Sequence, residues 1–372
     1  MLKKLQLLIL FMLGAFVLCG SNSSSYNIAF IGDIHYDRME FHDTSKMKHL
    51  GIPHGKHVLN EDGYFSWRKQ TKWVELNKGG TVETATPLNE MMWKLYTPTL
   101  LDNAALQAKA DKALYTFQLG DLIHGDCYNF ELHKKNLEQA LEQLTRRFDN
   151  VLVVCGNHDT RGIEGDKAWE LVINRHLDKT IKNLKRKNSN YYFTIGKDLY
   201  LCYDLMNVDI PFFEQALKEN PDVRYTFFIS HVPLLPTGKH AVNAILSDNI
   251  KQLLPLLEKA DAIVLSGHTH KVSFVEYFNK ENNHRISQFI INSTIRYPKT
   301  QLKFQETTPA KDKFPAKHKK NRELWNKFYA GKVTTKLHTT GTGYGILQVS
   351  DKGVYINYRN LDQDKVYTYK LR

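Results

Sequence analysis

Cysteine is scarce in this chain, with four among 372 residues and no two at the Cys-x-x-Cys spacing of zinc knuckles or redox sites. Without Cys19, which falls in a leader, only Cys127, Cys155 and Cys202 remain. That is too few for a disulfide framework, even in an oxidising compartment. Cys155 and Cys202 lie inside apolar runs and read as small buried hydrophobes. The apolar run Leu5 to Leu18 falls short of the roughly 18–20 residues that a membrane-spanning helix needs. No repeat with a period of roughly 20–50 residues is visible, which excludes solenoids and propellers. Recognition helices, zinc fingers and the aromatic pattern of RNA-binding sheets are also missing.

What is present is an ordinary globular balance, 42% apolar and 24% charged, with enough length for one large core or two smaller ones. The 51 Lys plus Arg outweigh 39 Asp plus Glu, giving a net charge of +12. Such a balance suits anionic partners, whether phosphate esters, nucleic acid or acidic surfaces, although Lys-rich loops serve solubility equally well. Residues 1–25 read as a secretory signal: Lys3 and Lys4, then the apolar run, then Cys19-Gly20-Ser21-Asn22-Ser23-Ser24-Ser25. Cys19 also resembles the lipid-modified cysteine of a bacterial lipoprotein, but Leu18 stands where a Gly, Ala or Ser is usual. Plain cleavage, lipidation and an uncleaved anchor all stay open. The expectation is an exported protein, periplasmic, secreted or lipid-anchored at the envelope, with a lipidated Cys19 as its route to the membrane.

Residues 26–372 read as a single domain in which strands, loops and helices alternate. Strands are expected at Tyr26–Ile31, Leu114–Leu119, Val151–Cys155, Arg224–Ile229, Ala262–Leu265, Val272–Phe278 and Ile286–Ile291. A hairpin is expected around Gly196. Leu137, Ala140, Leu141, Leu144 and Phe148 recur at helical spacing, and Asn249–Lys259 reads as a second helix. Tyr344–Val349, Val354–Tyr358 and Val366–Leu371 alternate and are expected as edge strands of a second sheet. The fold class is α/β, a four-layer α/β/β/α sandwich of two mixed sheets flanked by helices. Two segments interrupt it. Residues 39–98 are irregular and aromatic, with Trp67, Trp73 and Trp93, and read as an insertion over the functional edge. Residues 294–340 carry Lys311, Lys313, Lys317, Lys319 and Lys320 and read as a solvated loop.

Five short motifs carry the chemistry: Gly32-Asp33-Ile34-His35, Gly120-Asp121, Gly156-Asn157-His158-Asp159, Ser230-His231 and Gly267-His268-Thr269-His270. Each ends or follows an apolar strand-like run. As metal donors they offer two Asp, one Asn and four His, enough for two divalent cations. Asp33 and His35, two apart on an extended segment, would point the same way. The glycines would allow sharp turns and a close backbone approach. Asp121 could bridge two cations, His268 and His270 could each face a different one, and Asn157 and His231 complete the supply. Imidazole mixed with carboxylate suits zinc, manganese or iron better than calcium.

Together these motifs resemble the calcineurin-like metallophosphoesterase superfamily, from about residue 26 to residue 278. The resemblance implies Asp33, His35, Asp121 and His270 on one metal, and Asp121, Asn157, His231 and His268 on the other. It also implies His158 beside the scissile phosphate as acid or charge stabiliser, with Asp159 orienting it. Purple acid phosphatases carry Tyr where this chain has His124, and Gly where it has His35. The form here is closer to the cyclic-nucleotide-phosphodiesterase-like and general phosphoesterase branches. Arg161, and with it His124, are candidates for binding substrate. The expected reaction is hydrolysis of a phosphomonoester or phosphodiester by metal-activated water. Nuclease, phospholipid or nucleotide hydrolase, and non-catalytic scaffold are the alternatives, and no protein partner is evident.

Overall fold

Along Leu199–Tyr203 the side chains divide between two cores. Tyr200 and Cys202 enter one cluster of buried residues, while Leu199, Leu201 and Tyr203 enter another. This period of two is what a strand buried on both faces must show, and it fixes the layering of the molecule. The computed structural model describes residues 25–42, 47–50, 72–77, 80–84, 86–237, 248–294, 319–339, 341–360 and 365–372. Residues 1–24 with Cys19, as well as Trp67, Lys311, Lys313 and Lys317, lie outside them.

One sheet has six strands in the order β17 (Lys365–Lys370), β16 (Gly353–Asn360), β15 (Gly343–Ser350), β1 (Tyr26–Ile31), β5 (Ala113–Gln118) and β6 (Val151–Val153). The other has eight: β14 (Val333–Thr339), β12 (Val272–Asn279), β13 (His284–Ile290), β11 (Ile263–Ser266), β10 (Tyr225–Ser230), β9 (Asp198–Tyr203), β8 (Asn190–Ile195) and β7 (Lys185–Lys187). A small third sheet joins β2 (Met47–Leu50), β3 (Lys72–Asn77) and β4 (Gly80–Thr84). The two large sheets face each other across an aromatic stack. Phe30 and Phe117 come from the first, and Phe193, Tyr200 and Phe227 from the second, with ring centroids 4.5–6.3 Å apart. The helix Thr97–Ala110 covers β1, β5 and β15, while Ile210–Glu219 and Ile250–Lys259 bury Phe213, Leu253 and Leu257 against the outer face of the second sheet. The four-layer α/β/β/α sandwich is therefore observed.

Three expectations need correction. The C-terminal strands do not edge a second sheet. β15 pairs antiparallel with β1, from Tyr26 opposite Val349 to Ile31 opposite Tyr344, so the C-terminal strands extend the first sheet beyond β1, with β15 inside it and β17 at its edge. Their alternating pattern shows that they are strands but carries no information about which sheet takes them. Residues 39–98 are not irregular throughout, since Thr86–Leu95 is a helix that buries Trp93. Within 294–340, Lys319–Phe328 is a helix whose Leu324 and Trp325 are buried, and Val333–Thr339 pairs with β12. The high lysine content concealed its apolar face. Among the described residues no helix is long and apolar enough to cross a membrane.

β1, β5 and β6 run parallel, as do β9, β10, β11 and β13. All five motifs consequently emerge at the carboxyl ends of parallel strands, where open α/β sheets leave a crevice for ligands. The aromatic stack holds the two sets of ends at a fixed separation. Replacing Phe227, which stacks on Tyr200 at 4.5 Å, by Ala should cost about 3–5 kcal/mol, read as a lower urea midpoint at unchanged slope. A cost below about 1 kcal/mol would mean that the sheets close over the cavity and that the stack does not set their spacing.

Candidate metal centre

Asp121 stands where the motifs meet. Its backbone has φ 52, an αL conformation that Asp tolerates better than most residues. Its carbonyl accepts from Ile34 N at 3.2 Å and His35 N at 3.0 Å, which joins the loop after β1 to the loop after β5. Its Oδ1 accepts from His158 N at 2.9 Å. Its Oδ2 lies 3.1 Å from His231 Nε2 and 3.8 Å from His35 Nε2. One carboxylate thus touches the donors of both groups.

Among the described residues three triads of donors gather here, His35 with His124 and His158 being one, and the other two meet at Asp121. Asp33, His35 and His270 form the first of those two, and Asp121, His231 and His268 the second, with donor atoms in each within 4.8 Å of one another. In the first, Asp33 Oδ2 is 2.9 Å from His270 Nε2, and the two Nε2 atoms of His35 and His270 are 3.1 Å apart. In the second, His268 Nδ1 faces His231 Nε2 at 3.1 Å. His231 Nδ1 donates to the Leu119 carbonyl at 2.8 Å, so its Nε2 is the nitrogen that points inward, toward Asp121 and His268. Asn157 Oδ1 is buried with no hydrogen-bond partner, an oxygen whose desolvation nothing in the protein offsets. Two imidazole pairs, two carboxylates and an orphaned amide oxygen form a donor set that fits two cations.

The backbone is bent to bring them in. His35, His268 and His270 have φ of 41, 67 and 49. Non-glycine residues in this region cost of order 1–3 kcal/mol each and persist only where the surroundings impose them. Asp33-x-His35 is therefore not the extended pair expected from its spacing: the two N–H bonds to Asp121 turn the chain at His35. The motif glycines are not all turn residues either. Gly120 is, at φ 89. At Gly156 a Cβ would stand 2.4 Å from Asp121 Oδ1, and at Gly267 one would stand 2.5 Å from Asp33 Oδ1. At Gly267 the bare position lets the Asp33 carboxylate lie against the backbone, and at Gly156 it admits both the backbone N and the carboxylate of Asp121.

His158 lies beside the triads. Its Nδ1 donates to the carbonyl of His124 at 2.7 Å, and Arg161 Nη1 approaches its Nε2 at 3.4 Å. The guanidinium also donates to the His124 carbonyl at 3.2 Å and pairs with Asp126. Asp159 is not the partner of the His158 ring that the resemblance implied. Both its oxygens are occupied by backbone donors, Ile123 N at 3.0 Å and Gly156 N at 2.8 Å. It staples the loop after β6 to the loop after β5, and burial, with Asp121 nearby, pushes its carboxyl up to about 8. Reading the motifs also missed Asn292-Ser293-Thr294 at the end of β13. Ser293 Oγ and Thr294 N donate to the Asp33 carbonyl at 2.8 and 2.9 Å. The only sequence signal was a polar triplet closing an apolar strand at the same sheet edge.

A family model described as calcineurin-like phosphoesterase matches residues 26–272. The chain belongs to the calcineurin-like phosphoesterase family. As a member it is a metal-dependent phosphoester hydrolase, of a family that uses a dinuclear centre. No curated protein matches this phosphoesterase. Among solved structures it is similar to a dimetal phosphatase from Danio rerio, with a TM-score of 0.50, 11% identity, and coverage of 93% of this chain and 99% of that one. It is also similar to GAP50, the anchor in the inner membrane complex of Plasmodium, with a TM-score of 0.47, 11% identity, and coverage of 94% and 89%. At this identity the first likeness speaks for the fold alone.

Protons compensate the charge of the metal-free site. Burial opposes a charge on His231, but Asp121 overcomes it and carries the imidazolium up to about 10. His270 is raised likewise by its bond to Asp33. Burial lowers His35 to about 3 and His268 to about 4. Asp33 falls to about 2 despite burial, held there by His270 and His231. Below about pH 10 an entering cation must therefore displace the His231 proton, so apparent affinity should rise with pH by up to about tenfold per unit for each proton released. Calorimetry of manganese binding in buffers of different ionisation enthalpy, between pH 6 and 8, should show proton release. Binding without proton release would show that His231 is not a ligand.

Proposed function

We propose that this phosphoesterase is an exported hydrolase of phosphomonoesters or phosphodiesters, working through two cations of the manganese, iron or zinc kind. The observation that carries the proposal is the meeting of two donor triads on the single carboxylate of Asp121. Asp33, His35 and His270 would hold one cation, and His231, His268 and the orphaned Asn157 Oδ1 the other, with Asp121 shared between them. When bound, such a pair neutralises charge on the phosphoryl oxygens and lowers the pKa of water.

The chain's own groups supply the rest. Arg161, its side chain 34% exposed and anchored by Asp126, presents a planar donor fork suited to a phosphate. Its N–H beside His158 Nε2 keeps that ring neutral at rest, together with burial, which lowers the ring most. A phosphate that takes the guanidinium's donors uncovers Nε2 and places negative charge beside it. Both effects favour a proton there, ready for the leaving oxygen. The Nδ1 bond to the His124 carbonyl fixes the ring throughout. The net charge of +12 fits an anionic substrate, and the leader composition of residues 1–25 supports export.

His158 reaches Asp121 through its backbone N–H, which an Ala substitution leaves in place. His158→Ala should therefore keep both metals by elemental analysis while turnover of a chromogenic phosphodiester falls by about 10²–10⁴-fold. Full activity in that metal-replete variant would remove His158 from the reaction. A panel of mono-, di- and cyclic phosphates, nucleotides, lipids and single-stranded DNA assigns the ester class.

A further inference from the structure

The peptide unit between Ile34 and His35 is gripped at both ends. Its N–H, on His35, donates to the Asp121 carbonyl at 3.0 Å. Its C=O, on Ile34, accepts from the indole Nε1 of Trp93 at 3.1 Å. That peptide plane is the one about which the φ of His35 is measured, and His35 stands at φ 41. A backbone in this region relaxes to negative φ unless its flanking peptide is restrained. Trp93 is 7% exposed and packs edge-on against Tyr36, ring centroids 4.7 Å apart, so its indole has little room to turn away. It sits on the helix Thr86–Leu95, within the segment that separates the first two motifs. Neither Asp33 nor His35 reveals this support in sequence, because Trp93 is 59 residues from Ile34.

We infer that Trp93 is a positioning residue of the metal centre, whose indole N–H holds the Ile34–His35 peptide so that His35 can ligate the cation shared with Asp33 and His270. The inference rests on the dinuclear proposal above. A hydrogen bond outside the ligand shell that fixes a ligand's orientation is typically worth about 10- to 100-fold in metal affinity. The effect should fall chiefly on one of the two positions, because the restrained peptide carries His35, a member of only one triad, and meets the shared Asp121 through its backbone carbonyl and not its carboxylate.

Trp93→Phe keeps an aromatic ring against Tyr36 while removing the indole donor and part of the ring's volume, and the cost of the lost volume is read separately in the thermal midpoint. Titration with manganese, followed by calorimetry and by the spin-coupled signal of a manganese pair, should show two sites in the wild-type protein. In the variant, one site should weaken by about tenfold and the other much less. Saturating manganese should then restore most of kcat, while the metal concentration for half-activity rises. Tyr36→Phe, which removes the hydroxyl that bonds Gln139 at 2.9 Å and also meets Arg38 but leaves the ring against Trp93, should bind both ions as the wild type does and controls for local repacking. Two unchanged sites in Trp93→Phe would overturn the inference. So would equal weakening of both sites with a lowered thermal midpoint, since that is the signature of core packing alone. A wild-type protein that binds fewer than two ions would overturn the dinuclear proposal and this inference with it.

Discussion

Everything at the centre is organised around one buried anion. Asp121, 2% exposed, is an ionised carboxylate placed where water cannot solvate it. Such a charge is tolerated only with opposite charge and hydrogen bonds around it. The protein supplies His158 N on one oxygen and His231 on the other. Asp33 repeats the arrangement with His268 N and His270. Two carboxylates this close repel each other, and only cations lying between them, protons or metals, make the cluster stable. The demand of this cluster for positive charge is in this sense electrostatic before it is a matter of ligand type.

The strain around that anion is matched by what surrounds it. Four of its residues, His35, Asp121, His268 and His270, occupy left-handed backbone, and two glycines leave the room that Asp33 and Asp121 take up against the backbone. These distortions are sustained by hydrogen bonds that join places far apart in the chain: Gly156 N and Ile123 N to the Asp159 carboxyl, Ser293 and Thr294 to the Asp33 carbonyl, Trp93 to the Ile34 carbonyl. Few of these groups meet a ligand. Their task is to keep a rigid, pre-shaped cluster at the end of two sheets, which is what a dinuclear site needs if its ions are to sit at a fixed spacing.

The donors were legible because each must stand at a strand end beside a small residue, and both features leave a local trace. Val151–Cys155 before Gly156 and Ala262–Leu265 before Gly267 read as strands from composition alone, and strands stand there at Val151–Val153 and Ile263–Ser266. What escaped was non-local. The antiparallel fit of β15 beside β1 depends on partners more than 300 residues apart, and alternation says which faces are apolar without naming the neighbour. The helix Lys319–Phe328 escaped because lysines outnumber its buried Leu324 and Trp325. The family resemblance implied Asp159 as the partner of His158, whereas its carboxylate faces the backbone N–H groups of Ile123 and Gly156 instead.

The distribution of donors also ties chemistry to folding. Asp33, His35, Asp121 and Asn157 follow strands of the first sheet, and His231, His268 and His270 follow strands of the second. Each triad contains members of both. A cation held by either triad therefore spans the gap between the sheets, at the end where the aromatic stack has left them open to form a crevice. Ligation that requires both sheets to be docked binds the native state and not the unfolded one, and its free energy adds to docking, by about 2.7 kcal/mol at a hundredfold excess over the dissociation constant. The stack sets the separation at which the two sets of donor residues face each other, and bound cations would in turn hold that separation at the open end. Core and centre are for this reason one cooperative unit, and a substitution in the stack should be felt in metal affinity as well as in stability.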